Sequence, residues 1–448
     1  GTSDHLMVSL RVLVLGFALH GSVAFLPATR SHSAVRRHAA PLTPSQLPAQ
    51  PRRRHLSMVS SLTPPGVSVP VKAAPPTPEP PATPMDETFP GVVECPMTAW
   101  GARDVNLAEE RAKPSGEFAP EWNKADVMAA DAGEEEELEY FRSLRPTIKT
   151  LMAQYGSIVM RGFDITKESD GFLKMYLALG LEPCDDPLQS VAARDAVDKE
   201  KGVYEAVNKE SRAKYFVGMH NEQVGTRSPR RAAFVCFKPA DDGGEFLLLD
   251  GRKMLRDLDA EFLDEMYEKQ VRFIAAELPL GFLEAVHPKV RDMLEKPMLA
   301  MASQAAKKKV DFDIDLQWTK DNEGKPCIHV IAPAQPPVVR HPDTGEPVWF
   351  CNVHSHSDHL RQQREERDGT LKLSETTGSS RLNRTDIRFG DFGRIPHKWQ
   401  EHVDETVMKN LQWVKMNKGD VVLVDNYMTM HGRNVFEGVR KHAVTWFK

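Results

Sequence analysis

Apolar residues in this chain come in short runs, each about one strand long and each closed by turn-forming residues: Ala232–Phe237, Glu245–Leu249, Ile328–Ile331, Val348–Cys351, Asp420–Val424 and His442–Phe447. Runs of this length are too short for core helices and suit strands buried on both faces. Helical patterns lie between some of them but not in regular alternation, so a doubly wound parallel sheet is excluded. The pattern predicts a mainly β fold with flanking helices, built as a barrel or double sheet. One flanking helix is expected from the acidic run Glu134–Glu137 to Tyr155, with Leu144, Ile148, Leu151 and Met152 on one face and Gly156 closing it; Ser157–Phe163 then reads as a strand and turn. A second is marked by Trp399, Val403, Val407, Leu411 and Val414.

Composition narrows the function classes. A net charge of −5 with no basic stripe argues against a nucleic-acid partner and leaves a small molecule as the expected one. Five cysteines without a CxxC spacing read as free thiols in a reducing compartment, not as a disulfide framework. The N-terminal part has a different character. Leu10–Val23 is largely apolar and follows Met7, the first plausible start; Ser22-Val23-Ala24 has the small residues of a cleavage site, so residues 1–24 read as a signal peptide. From Phe25 to Pro78 there is no Asp or Glu, while Arg30, Arg36, Arg37, Arg52, Arg53, Arg54 and Lys72 are present. Residues 25–88 therefore read as a transit-peptide-like, Pro-rich leader, and the two parts together suggest import into the plastid of an alga with complex plastids; a secreted protein with a basic arm is the alternative. The folded domain is expected over 89–448, with no membrane segment in the mature form.

Two segments carry the chemistry. In Gly218-Met219-His220-Asn221-Glu222, an extended backbone turns His220 and Glu222 to one face. An imidazole and a carboxylate so placed form two-thirds of a 2-His-1-carboxylate iron site, which leaves positions open for oxygen chemistry. In the second, Gly419–Asn426 is followed by His431-Gly432-Arg433 and then Arg440. A guanidinium pairs with a carboxylate through two parallel hydrogen bonds, so Arg440, with Arg433 as its substitute, suits a carboxylate cosubstrate.

With these segments in order, the chain resembles the superfamily of taurine dioxygenase, clavaminate synthase and γ-butyrobetaine hydroxylase. The segments are Tyr155–Phe163, His220-Asn221-Glu222, Gly243-Gly244-Glu245, His341–Glu346 with Val348–Phe350 and Asn352, and Asp425-Asn426 with His431-Gly432-Arg433 and Arg440. The resemblance implies a double-stranded β-helix (jelly-roll) core. It implies Fe(II) on His220, Glu222 and His431, 2-oxoglutarate and O2 as cosubstrates, and the distal carboxylate of 2-oxoglutarate on Arg440. It further implies oxidation of an unactivated C–H bond, chiefly hydroxylation, of a small polar metabolite bearing an amine or carboxylate, with release of succinate and CO2. The carboxylate of Glu222 fills the position that halide-transferring relatives leave open, which disfavours chlorination. Two departures bear on the cosubstrate pocket: Phe246 stands where the family carries Thr or Ser after its GGE segment, and the spacing from His431 to Arg440 is short.

Other residues have two readings. Asn221 contacts substrate or caps the turn. Trp349 is core or, with Asn352 and His354, part of a substrate-facing wall. His354, His356, Asp358 and His359 match an HxHxDH metal motif, which makes a zinc hydrolase one alternative; a catalytically silent jelly-roll binding protein, suggested by Phe246, is the other.

Overall fold

A computed structural model describes residues 75–76, 88–99 and 105–448, apart from 187–195, 199, 207, 209–212, 215, 224–225, 308–313, 321–323, 358–359 and 361–386. The signal-peptide and transit-like readings fall almost wholly outside the described residues. Among the described residues no helix is long and apolar enough to cross a membrane.

Among the described residues, twelve strands build the core: β1 (Glu121–Asn123), β2 (Ser157–Arg161), β3 (Pro183–Cys184), β4 (Ala196–Asp198), β5 (Val203–Glu205), β6 (Val217–His220), β7 (Arg231–Lys238), β8 (Phe246–Asp250), β9 (Gln412–Val414), β10 (Val421–Asp425), β11 (Thr429–Arg433) and β12 (Lys441–Phe447). The larger sheet has the order β1-β2-β10-β7-β12-β5-β4, with β3 also on β12; the smaller has the order β9-β8-β11-β6. All pairings in both are antiparallel except β1 with β2.

Side-chain alternation explains why the two sheets face each other. From the larger sheet Val159, Ala232, Phe234, Cys236, Val422, Val424, Val444 and Trp446 point inward, where they meet Phe246, Leu248 and Val414 of the smaller sheet. The intervening residues Ile158, Met160, Ala233, Val235, Val421, Leu423, Ala443 and Phe447 point the other way, onto a helical layer. That layer is α1 (Glu134–Leu144), α2 (Ile148–Tyr155) and α3 (Ser169–Ala178), which contribute Phe141, Leu144, Ile148, Met152, Phe172 and Tyr176. This is the expected jelly-roll, mainly β with flanking helices, and its near-continuous apolar strands are those of a sheet covered on both faces.

Three local readings are corrected. The single helix expected from Glu134 to Tyr155 is two, broken over Arg145–Thr147: Arg145 is still helical in conformation, but Pro146 has no N–H with which to continue the helix's hydrogen bonds. The helix expected to run through Leu411 and Val414 ends at Asn410 (α4, His397–Asn410); Val414 lies in β9, paired with Phe246. The Ile328–Ile331 run joins neither core sheet. It belongs to a separate sheet formed by Asp315–Lys320, Pro326–Ile331, Val271–Pro279 and Ile387–Phe389.

The smaller sheet needs close approach between β11 and β6. A Cβ on Gly432 would lie 2.5 Å from Val217 O and 2.9 Å from Met219 Sδ. Gly432→Ala is therefore expected to push β11 off β6, at about 1–3 kcal/mol of stability and with loss of metal affinity. Thermal unfolding and Fe(II) titration of the same sample check both effects.

Candidate metal centre

The antiparallel register sets His220, the last residue of β6, directly opposite His431 of β11. The two imidazole centroids are 4.5 Å apart. Glu222, two residues beyond β6, brings Oε1 to 3.4 Å from His431 Nε2. One ligand atom from each of the three lies within 4.8 Å of the others, and no other such group of three occurs among the described residues. Glu222 and His431 are buried and His220 is half-buried, so the centre has a dry floor and one open side. A desolvated carboxylate beside two imidazoles is an arrangement that a cation stabilises.

Hydrogen bonds prepare these groups as ligands. His220 Nδ1 lies 2.9 Å from the Gly218 carbonyl, which takes the ring N–H and leaves Nε2 with its lone pair. The Nδ1 of His431 is buried without a hydrogen-bond partner. Phe234 and Phe246 flank its ring, with centroids at 4.8 Å and 5.8 Å, the latter nearly parallel. Phe246 thus takes up a packing role beside His431, and no hydroxyl is present there. Two nitrogens and one carboxylate converging with an open side fit Fe(II).

The loop bearing Glu222 is held by asparagines. Asn426 Oδ1 accepts the Glu222 N–H at 2.8 Å, and its Nδ2 donates to the carbonyls of Glu222 and Pro229, both at 2.9 Å. Asn352 accepts the Asn221 N–H at 2.8 Å and donates to the Asn221 carbonyl at 3.1 Å. Asn426 is itself placed by its neighbour. Asp425 Oδ1 accepts the N–H groups of Tyr427 and Met428, and both Asp425 oxygens lie 3.1 Å from His341 Nε2. His341 Nδ1 accepts from the N–H groups of Asp343 and Thr344, so the ring proton is on Nε2 and points at Asp425. The Asp-Asn and His-Pro-Asp-Thr-Gly-Glu motifs are therefore a single brace under the metal loop. Asn426→Ala removes three buried hydrogen bonds. It is expected to cost about 2–4 kcal/mol of stability and roughly 10–100-fold in iron affinity, measurable by denaturant unfolding and by metal titration.

Beyond His431 the interior turns cationic. Arg433 and Arg440 are both buried, and their guanidiniums lie 4.7 Å and 6.0 Å from the Phe436 ring. Arg440 donates to the Ala206 carbonyl at 2.8 Å and to His442 Nδ1 at 2.9 Å. Among the described residues no carboxylate pairs with it. Burial, with Arg433 alongside, pushes its guanidinium down to about 9, the mark of a charge that lacks an anion. His442 is pushed well down by burial and then by the two arginines, which suits it to accept the Arg440 hydrogen bond as a neutral ring. Gly244 backs onto this pair: a Cβ there would meet Ala240 Cβ and Phe436 Cβ at 3.1 Å and Arg440 Cδ at 3.5 Å.

Four residues read as possible substrate contacts have other duties. Trp349 is buried, packed 6.1 Å from Phe262, and is core. Asn352 is spent on the Asn221 backbone. Both ring nitrogens of His354 are committed: Nδ1 accepts the Met219 N–H at 2.8 Å and Nε2 faces Asp404 Oδ1 at 3.1 Å. That pins β6 to α4 and removes His354 both as a substrate group and as the first ligand of a hydrolase site; Asp358 and His359 of that motif lie outside the described residues. Asn221 donates to the carbonyls of Asn426 and Thr429, so it caps the turn, while its Oδ1 is buried without a partner. The roles of Asn426, His341 and His442 were not singled out from the sequence. Asn426 and His341 act through atoms distant in the chain, and His442, though two residues from Arg440, is set against its guanidinium by burial that no local spacing announces.

A family model described as taurine catabolism dioxygenase TauD, TfdA family matches residues 124–446. The dapdiamide synthesis protein DdaC of Enterobacter agglomerans is 23% identical over 333 residues, covering 73% of this chain and 91% of its own. Among solved structures, PvcB from Pseudomonas aeruginosa is similar at 12% identity and a TM-score of 0.39, over 74% of this chain and 86% of that one. An asparagine oxygenase in complex with Fe(II), 2S,3S-3-hydroxyasparagine and succinate gives 12% and 0.37, over 76% and 88%.

Proposed function

The chain belongs to the TauD, TfdA dioxygenase family and is a non-haem iron, 2-oxoglutarate-dependent oxygenase, and from that premise we propose that it hydroxylates a small polar metabolite with iron held by His220, Glu222 and His431. The observation that carries this reading is the convergence of those three side chains, and of no other such set among the described residues. Fe(II) held by His220, Glu222 and His431, together with 2-oxoglutarate, would supply the O2-dependent oxidation of an unactivated C–H bond, with succinate and CO2 as the cosubstrate's products.

The residues of the chain do the rest. His220 and His431 offer neutral imidazole lone pairs, and Glu222 offsets part of the metal charge. Arg440 takes the distal carboxylate of 2-oxoglutarate and relieves its own unpaired burial; Arg433 adds positive potential beside it. The aromatic wall of Phe234 and Phe246 keeps water from the His431 side and strengthens the electrostatics of the centre. Half-buried His220 marks the side from which substrate reaches the iron. The substrate class, a small metabolite bearing an amine or carboxylate, rests on likeness to the family and to the dapdiamide synthesis relative.

The test is turnover of the iron-loaded enzyme with 2-oxoglutarate and O2 across free amino acids, their amides and short amines. Succinate production that rises with one substrate, and a product heavier by one oxygen atom, is expected. A product lighter by two hydrogens means desaturation or ring closure in place of hydroxylation. No oxygen uptake above an iron-only control, with any compound, favours the silent binding protein.

A further inference from the structure

Residues 92–99 form a strap that crosses two parts of the fold. At its start, Val93 bridges Cys184 of β3 in parallel, through Val93 N–H to Pro183 O at 3.2 Å and Asp185 N–H to Val93 O at 2.8 Å. At its end it meets the loop that follows Glu222. Ser228 N–H donates to Pro96 O at 3.0 Å, Arg227 donates to Cys95 O at 2.8 Å, and Thr98 Oγ1 lies 2.9 Å from Ser228 Oγ. Ala99 N–H then reaches the Tyr427 hydroxyl at 3.0 Å, next to the Asp425-Asn426 brace. The strap therefore ties the edge of the larger sheet to the segment leaving the metal loop.

Midway, Cys95 turns inward. Its Sγ lies 2.7 Å from Cys184 Sγ, in a nest with Tyr204 and Trp446. Both sulfurs are buried, and the residues are 89 positions apart in sequence. No metal-ligating third group joins them among the described residues. We propose that Cys95 and Cys184 are a disulfide-forming pair that fastens the strap to the sheet edge, a modification site distinct from the metal centre. All five cysteines are free thiols in the structure, as expected, and the proposal adds an oxidised state for two of them.

The oxidant is a disulfide of the glutathione class. One thiolate of the pair attacks a sulfur of that disulfide, forms a mixed disulfide and releases one thiol; the second thiolate displaces the other thiol and closes the Cys95–Cys184 bond. The pair loses two protons and two electrons, and the small disulfide becomes two thiols. The hydrogen bond to Cys184 and then burial push the Cys95 thiol far up, so exchange proceeds when the strap lifts. Lifting is local, because the strap already carries exposed Val93 and Met97. A cross-link over so long a loop removes many open conformations of the strap.

The test uses the full chain, incubated with oxidised glutathione or with dithiothreitol and then alkylated in denaturant and digested. Expected after oxidation is one joined peptide pair holding Cys95 and Cys184, with Cys236, Cys327 and Cys351 alkylated; Cys184→Ser leaves Cys95 alkylated. Hydrogen exchange at the Thr98, Asp185 and Ser228 amides is expected to slow at least about tenfold on oxidation. Alkylation of both Cys95 and Cys184 after oxidation overturns the pair, and a joined pair with unchanged exchange overturns the fastening. Neither readout depends on iron or on turnover.

Discussion

Full-length protein loaded anaerobically with Fe(II) and then 2-oxoglutarate is expected to gain a weak visible charge-transfer band, and His220→Ala is expected to lose both that band and turnover. Among the described residues His220 is one of three converging ligand groups, so its removal leaves two of them and opens a path for water. Removing a group one shell further out costs roughly 10–100-fold in metal sites, so deletion of a ligand should exceed that, to at least about a thousandfold in turnover. The fold tolerates the change, because His220 ends its strand and is half-buried. Iron retained stoichiometrically with turnover within tenfold of the parent would sink the assignment of the triad. His356→Ala, in a turn outside the triad, is the control and should leave the band intact.

The second large effect is at the cosubstrate pocket. Arg440→Gln is expected to raise the half-saturating concentration of 2-oxoglutarate by at least about 30-fold, and to leave Fe(II) affinity within threefold. A hydrogen-bonded buried charge pair that loses one partner costs about 2–5 kcal/mol, which spans that factor. Gln keeps a donor for the Ala206 carbonyl or for His442 while removing the positive charge. The split between cosubstrate and metal separates a carboxylate clamp from a purely structural arginine, whose loss would weaken both together. If Arg433→Gln gives the larger rise, the clamp is Arg433 and the short spacing to Arg440 has shifted the role along the strand.

Much of the fold was legible in the chain. Five strand-length apolar runs became core strands of the two facing sheets or the short Pro347–Trp349 strand, displaced by a residue or two, because alternation with turn residues is a local property that survives folding. The helix break at Pro146 was equally visible in the residues, yet the apolar periodicity on either side masked it. Val414 shows the opposite failure. Its spacing continues the face of α4, but pairing with Phe246 offered more than another helical turn.

The site divides along the same line. The order His220, Glu222, His431 and the arginines beyond is a matter of residue identity, and chemistry alone limits what such a set can hold. What residue order could not decide is which histidine serves which purpose. His354 spends both nitrogens on Met219 and Asp404, whereas His220 places Nδ1 on the Gly218 carbonyl and its ring beside that of His431. The sequence by itself determined a mainly β chain with iron-binding residue types in family order. Only the tertiary structure decided that β6 and β11 pair in the register that sets His220 against His431, that Asn426 and Asn352 grip the intervening loop, and that Arg440 is buried with no carboxylate partner among the described residues. Those outcomes depend on contacts between residues up to more than two hundred positions apart, and no local alternation or spacing in the chain reports on contacts at that range.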